Sequence, residues 1–158
     1  MTLEQRGIVR LRYRARQRLA SDDLRDAAGL QRLAAQCAGV DILVNNAGAI
    51  PRGTLESLDA AKWRHAWELK VFGYINLTRA IFTAMKARRS GVIVNVIGMA
   101  AENPSFEYIC GATANAGLAA FTKGMGKIAR ESGVRVLGVH PPATRTDRII
   151  DVMKAAAK

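Results

Sequence analysis

Runs of apolar residues alternate along the chain with stretches in which apolar residues recur every three or four positions. Three runs, DILV, VIVNVI and VRVLGV, are apolar almost throughout and are followed by turn-forming residues. They predict buried strands, the second over residues 92–97 and the third over Val134–Val139. Because helical patterns separate these runs, the order favours a parallel sheet covered by helices on both faces.

Three segments carry the helical pattern. The first spans residues 22–37, and the second begins at a capping Ser57 or Asp59 and is expected to stop at Gly91. The third follows YICGATANAG and ends near Gly133. Their apolar stripes are, in order, Leu24, Leu30 and Leu33; Trp63, Trp67, Val71 and Ile75; and Leu118, Phe121, Met125 and Ile128. The alternation predicts one α/β domain over residues 22–158.

The start of the chain does not follow this pattern. In RLRYRARQR every second residue is arginine, and this stretch contributes much of the net charge of +11. A strand would place these arginines on one face, whereas a helix would scatter them. We interpret residues 1–21 as a basic arm of uncertain structure. Contact of the arm with nucleic acid or acidic lipid is the alternative, but only its charge supports this, so nucleic acid is not an expected partner.

Several classes of protein are disfavoured by the sequence. No apolar run approaches the roughly 18 residues of a membrane-spanning helix, and charges interrupt the N-terminal stretch where a signal peptide would be apolar. The two cysteines, Cys37 and Cys110, have neither metal-type spacing nor a disulfide pattern. We therefore expect a cytoplasmic protein with no membrane partner and no metal site.

Five segments together resemble a known family. DILVNNAG, FGYINLTRA, GVIVNVIG, ANAGLAAFTKGMG and VRVLGVHPPATRTD occur in the order and spacing of the short-chain dehydrogenase/reductase family, over about residues 22–150. The resemblance implies a Rossmann-like doubly wound parallel sheet and hydride transfer between NAD or NADP and a small-molecule alcohol or carbonyl substrate.

Two parts of the family fold have no counterpart in the sequence. The glycine-rich turn after the family's first strand is missing upstream of Asp22, and so is its last strand. We therefore expect an incomplete fold, truncated at both ends to its central strands and helices, with weak dinucleotide binding.

The resemblance also implies which residues contact the cofactor. The family contacts adenine at the positions of Asp23 and Leu24, lines the ribose side with Asn46, Ala47 and Gly48, and faces the nicotinamide carboxamide with Thr146.

The family's catalytic residues are replaced in this chain. By the same resemblance, the serine position falls on Gly98, the tyrosine on Gly111, the lysine on Asn115 and a supporting asparagine on Lys70. In the family, tyrosine exchanges a proton with the substrate oxygen, lysine lowers the tyrosine pKa and holds the ribose, and serine polarises the carbonyl.

Two interpretations of these replacements remain open. In the first, the site is rebuilt from Asn115, Tyr108 and Lys70, with Lys70 supplying the cation and Asn115 holding a ribose hydroxyl. Tyr108 precedes the tyrosine position by about one helical turn, ~5 Å, which predicts that its hydroxyl falls short of the substrate oxygen. In the second, the chain is an inactive fragment or pseudoenzyme that acts through self-association.

Self-association is expected under either interpretation. The NNAG strand would lie at an open sheet edge, because the family strand that pairs with it has no counterpart here. The two long helices that mediate dimers in the family, over residues 59–89 and 113–132, are both predicted, so the resemblance implies a homo-oligomer.

Overall fold

The computed structural model describes residues 23–142 and two short segments before them. These segments, β1 (Arg10–Tyr13) and β2 (Arg16–Leu19), pair as antiparallel strands. Thr146, which the resemblance placed near the nicotinamide, lies outside the described residues.

The remaining elements form a parallel α/β unit. In chain order they are α1 (Ala27–Gln36), β3 (Ile42–Asn45), α2 (Ala60–Trp67), a π-helical turn (Glu68–Phe72), α3 (Gly73–Ala87), β4 (Gly91–Val96), α4 (Ile109–Ala129) and β5 (Val134–Val139). The three strands lie in the order β3-β4-β5, and both pairings are parallel. This arrangement confirms the predicted incomplete Rossmann-like fold.

Only one predicted helix start is confirmed, that of α2 at Asp59. α1 begins at Ala27 rather than at residue 22, and α4 begins at Ile109, within YICGATANAG rather than after it. The side chain of Asp26 accepts hydrogen bonds from the first turn of α1, and that of Asp59 does the same for α2. The expectation that Gly91 stops the long helix is wrong, because α3 ends at Ala87 and the left-handed turn occurs at Arg89, with φ of 55°. Gly91 instead opens β4, where a Cβ would collide with the side chain of Met85.

The core lies against one face of the sheet. Leu43, Ile93 and Val136, which are partners in the strand register, pack with buried side chains of α1 and α3. On the opposite face Ile42, Val44, Leu137 and Val139 are 51%, 41%, 48% and 45% exposed. Within the described residues the helices therefore cover a single face, and the expectation of cover on both faces is not met.

A buried polar network ties the strands together just below their carboxyl ends. Asn45 Nδ2 donates hydrogen bonds to Asn95 Oδ1 at 2.8 Å and to Thr78 Oγ1 at 3.0 Å. Asn95 Nδ2 in turn donates to Thr122 Oγ1 at 2.9 Å. Since Asn45 and Asn95 are register partners, these bonds fix the ends of β3 and β4 relative to α3 and α4.

Candidate functional site

The carboxyl ends of β3, β4 and β5 lie at one edge of the sheet because the strands are parallel. Asn46, which follows β3, is exposed, and Ala47 and Gly48 are half-buried. Gly98 comes shortly after β4, and His140 comes directly after β5. Open parallel sheets bind ligands at this edge, so the strand-end residues singled out in the sequence lie where a ligand is expected.

Lys70 reaches this edge from the π-helical turn between α2 and α3. Its Nζ donates a hydrogen bond to the carbonyl oxygen of Ile97 at 2.8 Å. Its aliphatic chain passes Gly48, because a Cβ on that glycine would lie 3.1 Å from Lys70 Cδ. π-Helical turns occur frequently at functional sites. Lys70 thus places an ammonium group between the loops that follow β3 and β4.

Asn115 approaches the same segment from α4. It is 3% exposed, and its Oδ1 is buried without a hydrogen-bond partner. Gly98 has a left-handed φ of 119°, and a Cβ built on it would lie 3.0 Å from Asn115 Nδ2. The carboxamide therefore occupies the space into which a side chain at position 98 would project.

Tyr108 is the residue just before α4, and its ring turns toward the helix. A Cβ on Gly111 would lie 2.6 Å from Tyr108 Cε2 and closer still to Cζ and Cε1. The backbone around Tyr108 is held by a hydrogen bond from the Gly53 amide to the Glu107 carbonyl oxygen at 2.8 Å. The ring thus occupies the place that the Cβ of a side chain at position 111 would take.

Tyr74 offers a contrast to Tyr108. It is 1% exposed, its hydroxyl donates to the Val96 carbonyl oxygen at 3.2 Å, and burial raises the pKa of its phenol. Tyr108 is only half-buried. Of these two tyrosines, Tyr108 is the more accessible.

His140 also lies at this edge of the sheet, although no role was predicted for it from the sequence. It is half-buried, and its Nδ1 lies 3.2 Å from the carbonyl oxygen of Gly98. The signal was present in the sequence, since His140 is a titratable side chain at the carboxyl end of an apolar strand. Lys70, Asn115 and His140 all contact the short segment formed by Ile97 and Gly98.

The predicted adenine-contacting residues lie at the start of α1. The Asp23 carboxylate forms a two-point ion pair with Arg25, with Oδ2 2.7 Å from Nη2 and Oδ1 2.9 Å from Nε. The hydrogen bonds from the Arg25 guanidinium hold the pKa of Asp23 below its usual range. Arg25 Nη1 also lies 2.7 Å from His65 Nε2. Leu24 is buried, and its Cβ lies 3.2 Å from the place that a Cβ on Gly73 would take.

Neither a metal-binding cluster nor a membrane-spanning helix is found in the described part of the chain. It contains no group of three histidine, cysteine, aspartate or glutamate side chains that could hold a metal ion. No helix there has the length and apolar character needed to cross a membrane.

The parallel strands, the helices that connect them and the polar side chains at the strands' carboxyl ends define a Rossmann-like α/β protein. Residues 10–156 match the short chain dehydrogenase family. The chain therefore belongs to the short-chain dehydrogenase/reductase family.

Similar proteins include dehydrogenases and a reductase. The 2,3-dihydro-2,3-dihydroxybenzoate dehydrogenase of Bacillus subtilis is 33% identical over 129 residues, which are 79% of this chain and 49% of that protein. The cis-4-hydroxycyclohexanecarboxylate dehydrogenase of Sinomonas cyclohexanicum is 36% identical over 119 residues, 73% of this chain and 47% of that protein.

A solved structure shares the fold. The L-sorbose reductase of Gluconobacter frateurii, complexed with NADPH and L-sorbose, superposes with a TM-score of 0.80 at 26% identity, over 87% of this chain and 54% of that one. The chain thus spans about half the length of these relatives.

Proposed function

We propose that this chain carries the catalytic centre of an NAD(P)-dependent oxidoreductase that interconverts an alcohol and a carbonyl compound, with the family's usual serine, tyrosine and lysine replaced. The observation that carries the proposal is the position of the Tyr108 ring over Gly111. Because Gly111 stands at the family's tyrosine position, a phenol packed beside it supports a rebuilt proton-transfer group at this end of α4.

Each of the three proposed catalytic residues has a separate task. The Tyr108 hydroxyl gives its proton to the carbonyl oxygen during reduction and takes one from the alcohol during oxidation. The positive charge of Lys70 favours the phenolate that forms when Tyr108 has given up its proton. Asn115 accepts a hydrogen bond from a ribose hydroxyl of the cofactor, which would satisfy its buried Oδ1.

The residues at the sheet edge fit a nicotinamide dinucleotide. The unpartnered Oδ1 of Asn115 suits a ligand hydroxyl. Asn46, Ala47 and Gly48 would hold the ribose side, with Asp23 and Leu24 near the adenine and Thr146 near the carboxamide. When bound, NAD or NADP would accept or supply the hydride.

The relatives suggest a substrate class for a first assay. Two of them are named for six-membered-ring carboxylates that carry hydroxyl groups. The net charge of +11 favours association with an anionic substrate. We therefore propose 4-oxocyclohexanecarboxylate as the ketone to be tried first.

Calorimetric titration with NADH and with NADPH is the first test. Binding by the wild-type chain, weakened by Asn46→Ala but not by the matched exposed control Asn103→Ala, supports the proposal. Failure to bind either nucleotide at concentrations on the order of millimolar contradicts it. The second test is reduction of 4-oxocyclohexanecarboxylate, which Tyr108→Phe should slow by about 100-fold because only the hydroxyl is lost, whereas Phe106→Leu should not.

A second candidate function is self-association without catalysis. It is favoured by the apolar sheet face formed by Ile42, Val44, Leu137 and Val139, which no described helix covers. β3 is also an edge strand of the described sheet and can pair with another chain. A second copy of this chain would bury both features.

Sedimentation velocity across the micromolar range tests this second candidate. We expect concentration-dependent association that Leu137→Lys weakens, because a lysine would have to be buried in the contact. Gln31→Lys, on an exposed position of α1, adds the same charge elsewhere and serves as the control. A wild-type chain that stays monomeric would rule out assembly as its function.

A further inference from the structure

The side-chain carbonyl oxygen of Asn115 is buried and has no hydrogen-bond partner. Asn45 and Asn95 bond to each other and to threonine hydroxyls through the network between the strands. Asn115 takes no part in that network. It is almost fully buried, and its Oδ1, like that of Asn45, has no partner. A buried acceptor without a partner is unfavourable, so such an atom points to a ligand that supplies a donor.

The Nδ2 atom of the same carboxamide faces the space that a side chain at position 98 would occupy. Nδ2 lies 3.0 Å from where a Cβ on Gly98 would be. By family resemblance, position 98 is that of the serine that polarises the substrate carbonyl, and position 115 is that of the lysine that holds the ribose. One amide therefore stands close to both places.

We propose that Asn115 combines these two roles, with Nδ2 donating a hydrogen bond to the substrate carbonyl oxygen and Oδ1 accepting one from the cofactor ribose. This inference rests on the proposed oxidoreductase function. During reduction the carbonyl carbon receives a hydride from the reduced nicotinamide, the π electron pair moves to oxygen, and Tyr108 supplies the proton. Asn115 keeps its own protons and stabilises the negative charge that develops on oxygen.

Gly98 makes this arrangement possible. Its φ of 119° is strained for a residue with a side chain, and any Cβ there would press on the amide of Asn115. A serine at position 98 would therefore be strained and would crowd the amide of Asn115. The amide takes the place of the serine because the glycine leaves that space empty.

Two substitutions of Asn115 distinguish donation by Nδ2 from acceptance by Oδ1. Asn115→Asp keeps the size and the acceptor but removes the donor, and Asn115→Leu removes both. Asn103→Asp adds the same charge at an exposed position and is the control. Circular dichroism and amide NMR spectra establish that each variant is folded, and Asn115→Asp remains informative if Asn115→Leu is not.

Carbonyl polarisation can be measured without turnover. Oxidised NAD or NADP cannot give a hydride to a ketone, so 4-oxocyclohexanecarboxylate labelled with ¹³C at the ketone is bound to the chain together with the oxidised cofactor. We expect a downfield ¹³C shift in the wild type and in Asn103→Asp that is lost in Asn115→Asp and Asn115→Leu. The kcat for reduction should fall about 100-fold in both Asn115 variants.

The cofactor affinity tests the acceptor half of the role. Asn115→Asp should bind the oxidised cofactor within about threefold of the wild type, whereas Asn115→Leu should bind it about tenfold more weakly. A wild-type ¹³C shift and kcat in Asn115→Asp overturn the inference while leaving the oxidoreductase function standing. No cofactor or ketone binding by the wild type refutes the proposed function and the inference together.

Discussion

Replacing Gly111 with alanine tests the packing on which the proposed catalytic site depends. The new Cβ would lie 2.6 Å from Tyr108 Cε2, and two further ring carbons would be closer. Carbon atoms in favourable contact are about 3.5 Å or more apart, so the ring would have to withdraw by at least ~0.9 Å. Overpacking of this kind typically costs about 1–3 kcal/mol.

The preference of a helix for alanine over glycine acts against this cost. Alanine in a helix interior is favoured over glycine by about 0.5–1 kcal/mol. We therefore expect Gly111→Ala to lower the free energy of unfolding by up to about 2.5 kcal/mol, the difference between the two effects. Gly117 and Gly124 lie in the same helix, and apart from their chain neighbours and the helix backbone nothing lies within 4 Å of the place that a Cβ on either would take. Gly117→Ala and Gly124→Ala should show only the stabilising helix effect.

Urea unfolding followed by circular dichroism measures these differences, and a double-mutant cycle assigns the cause. In a Tyr108→Ala background the ring is gone, so Gly111→Ala should become as favourable as Gly117→Ala. The coupling between positions 108 and 111 should then equal the overpacking cost, about 1–3 kcal/mol. If Gly111→Ala is as stable as Gly117→Ala in the wild-type background, the ring does not lie over Gly111 and the reasoning fails.

Three further substitutions test other parts of the structure. Asn95→Leu should lower the free energy of unfolding by about 2–4 kcal/mol in urea titrations, because Asn45 Nδ2 and a threonine hydroxyl would lose buried partners; a change below ~1 kcal/mol would contradict the network. Asp26→Ala should cost about 1 kcal/mol in the same assay, because the first turn of α1 loses its cap, and an unchanged stability would argue against that cap. Arg25→Gln should raise the pKa of Asp23 toward its ordinary value in a ¹³C carboxyl titration. A depressed pKa in the folded state stabilises the fold above the unfolded pKa of about 3.9, and this stabilisation is lost as the pH falls through the folded-state pKa. Arg25→Gln should therefore lose less stability than the wild type below pH ~4. An unchanged titration of Asp23 in the variant would show that Arg25 does not cause the shift.

The sequence predicted the fold well because apolar runs and helical stripes reflect burial directly. β5 has the predicted bounds, and Leu118 is buried as its stripe requires. Ile128, from the same stripe, is 61% exposed, since periodicity alone does not show which neighbour covers the end of a helix. The one-sided cover of the sheet was also missed, because an apolar strand predicts burial on both faces whether or not the covering elements are among the described residues.

Only part of the candidate site could be predicted from the sequence. Motif spacing placed Asn115 on the helix that faces the strand ends, and the structure brings it to Gly98. Spacing could not indicate that the Tyr108 ring turns toward Gly111, because a side-chain rotamer depends on the local backbone and on the space that neighbours leave. Nor could it give the contact of His140 with the Gly98 carbonyl, which depends on how β4 and β5 end relative to each other.

The two glycines paired with side chains also constrain how this sequence can change over evolutionary time. A tyrosine at position 111 would collide with Tyr108, and a serine at position 98 would be strained at a φ of 119° and would crowd Asn115. Each step back toward the family's residues is therefore harmful unless its partner changes as well. The present residues form two mutually dependent pairs, and lineages that carry both would be expected to keep them or to lose them pair by pair.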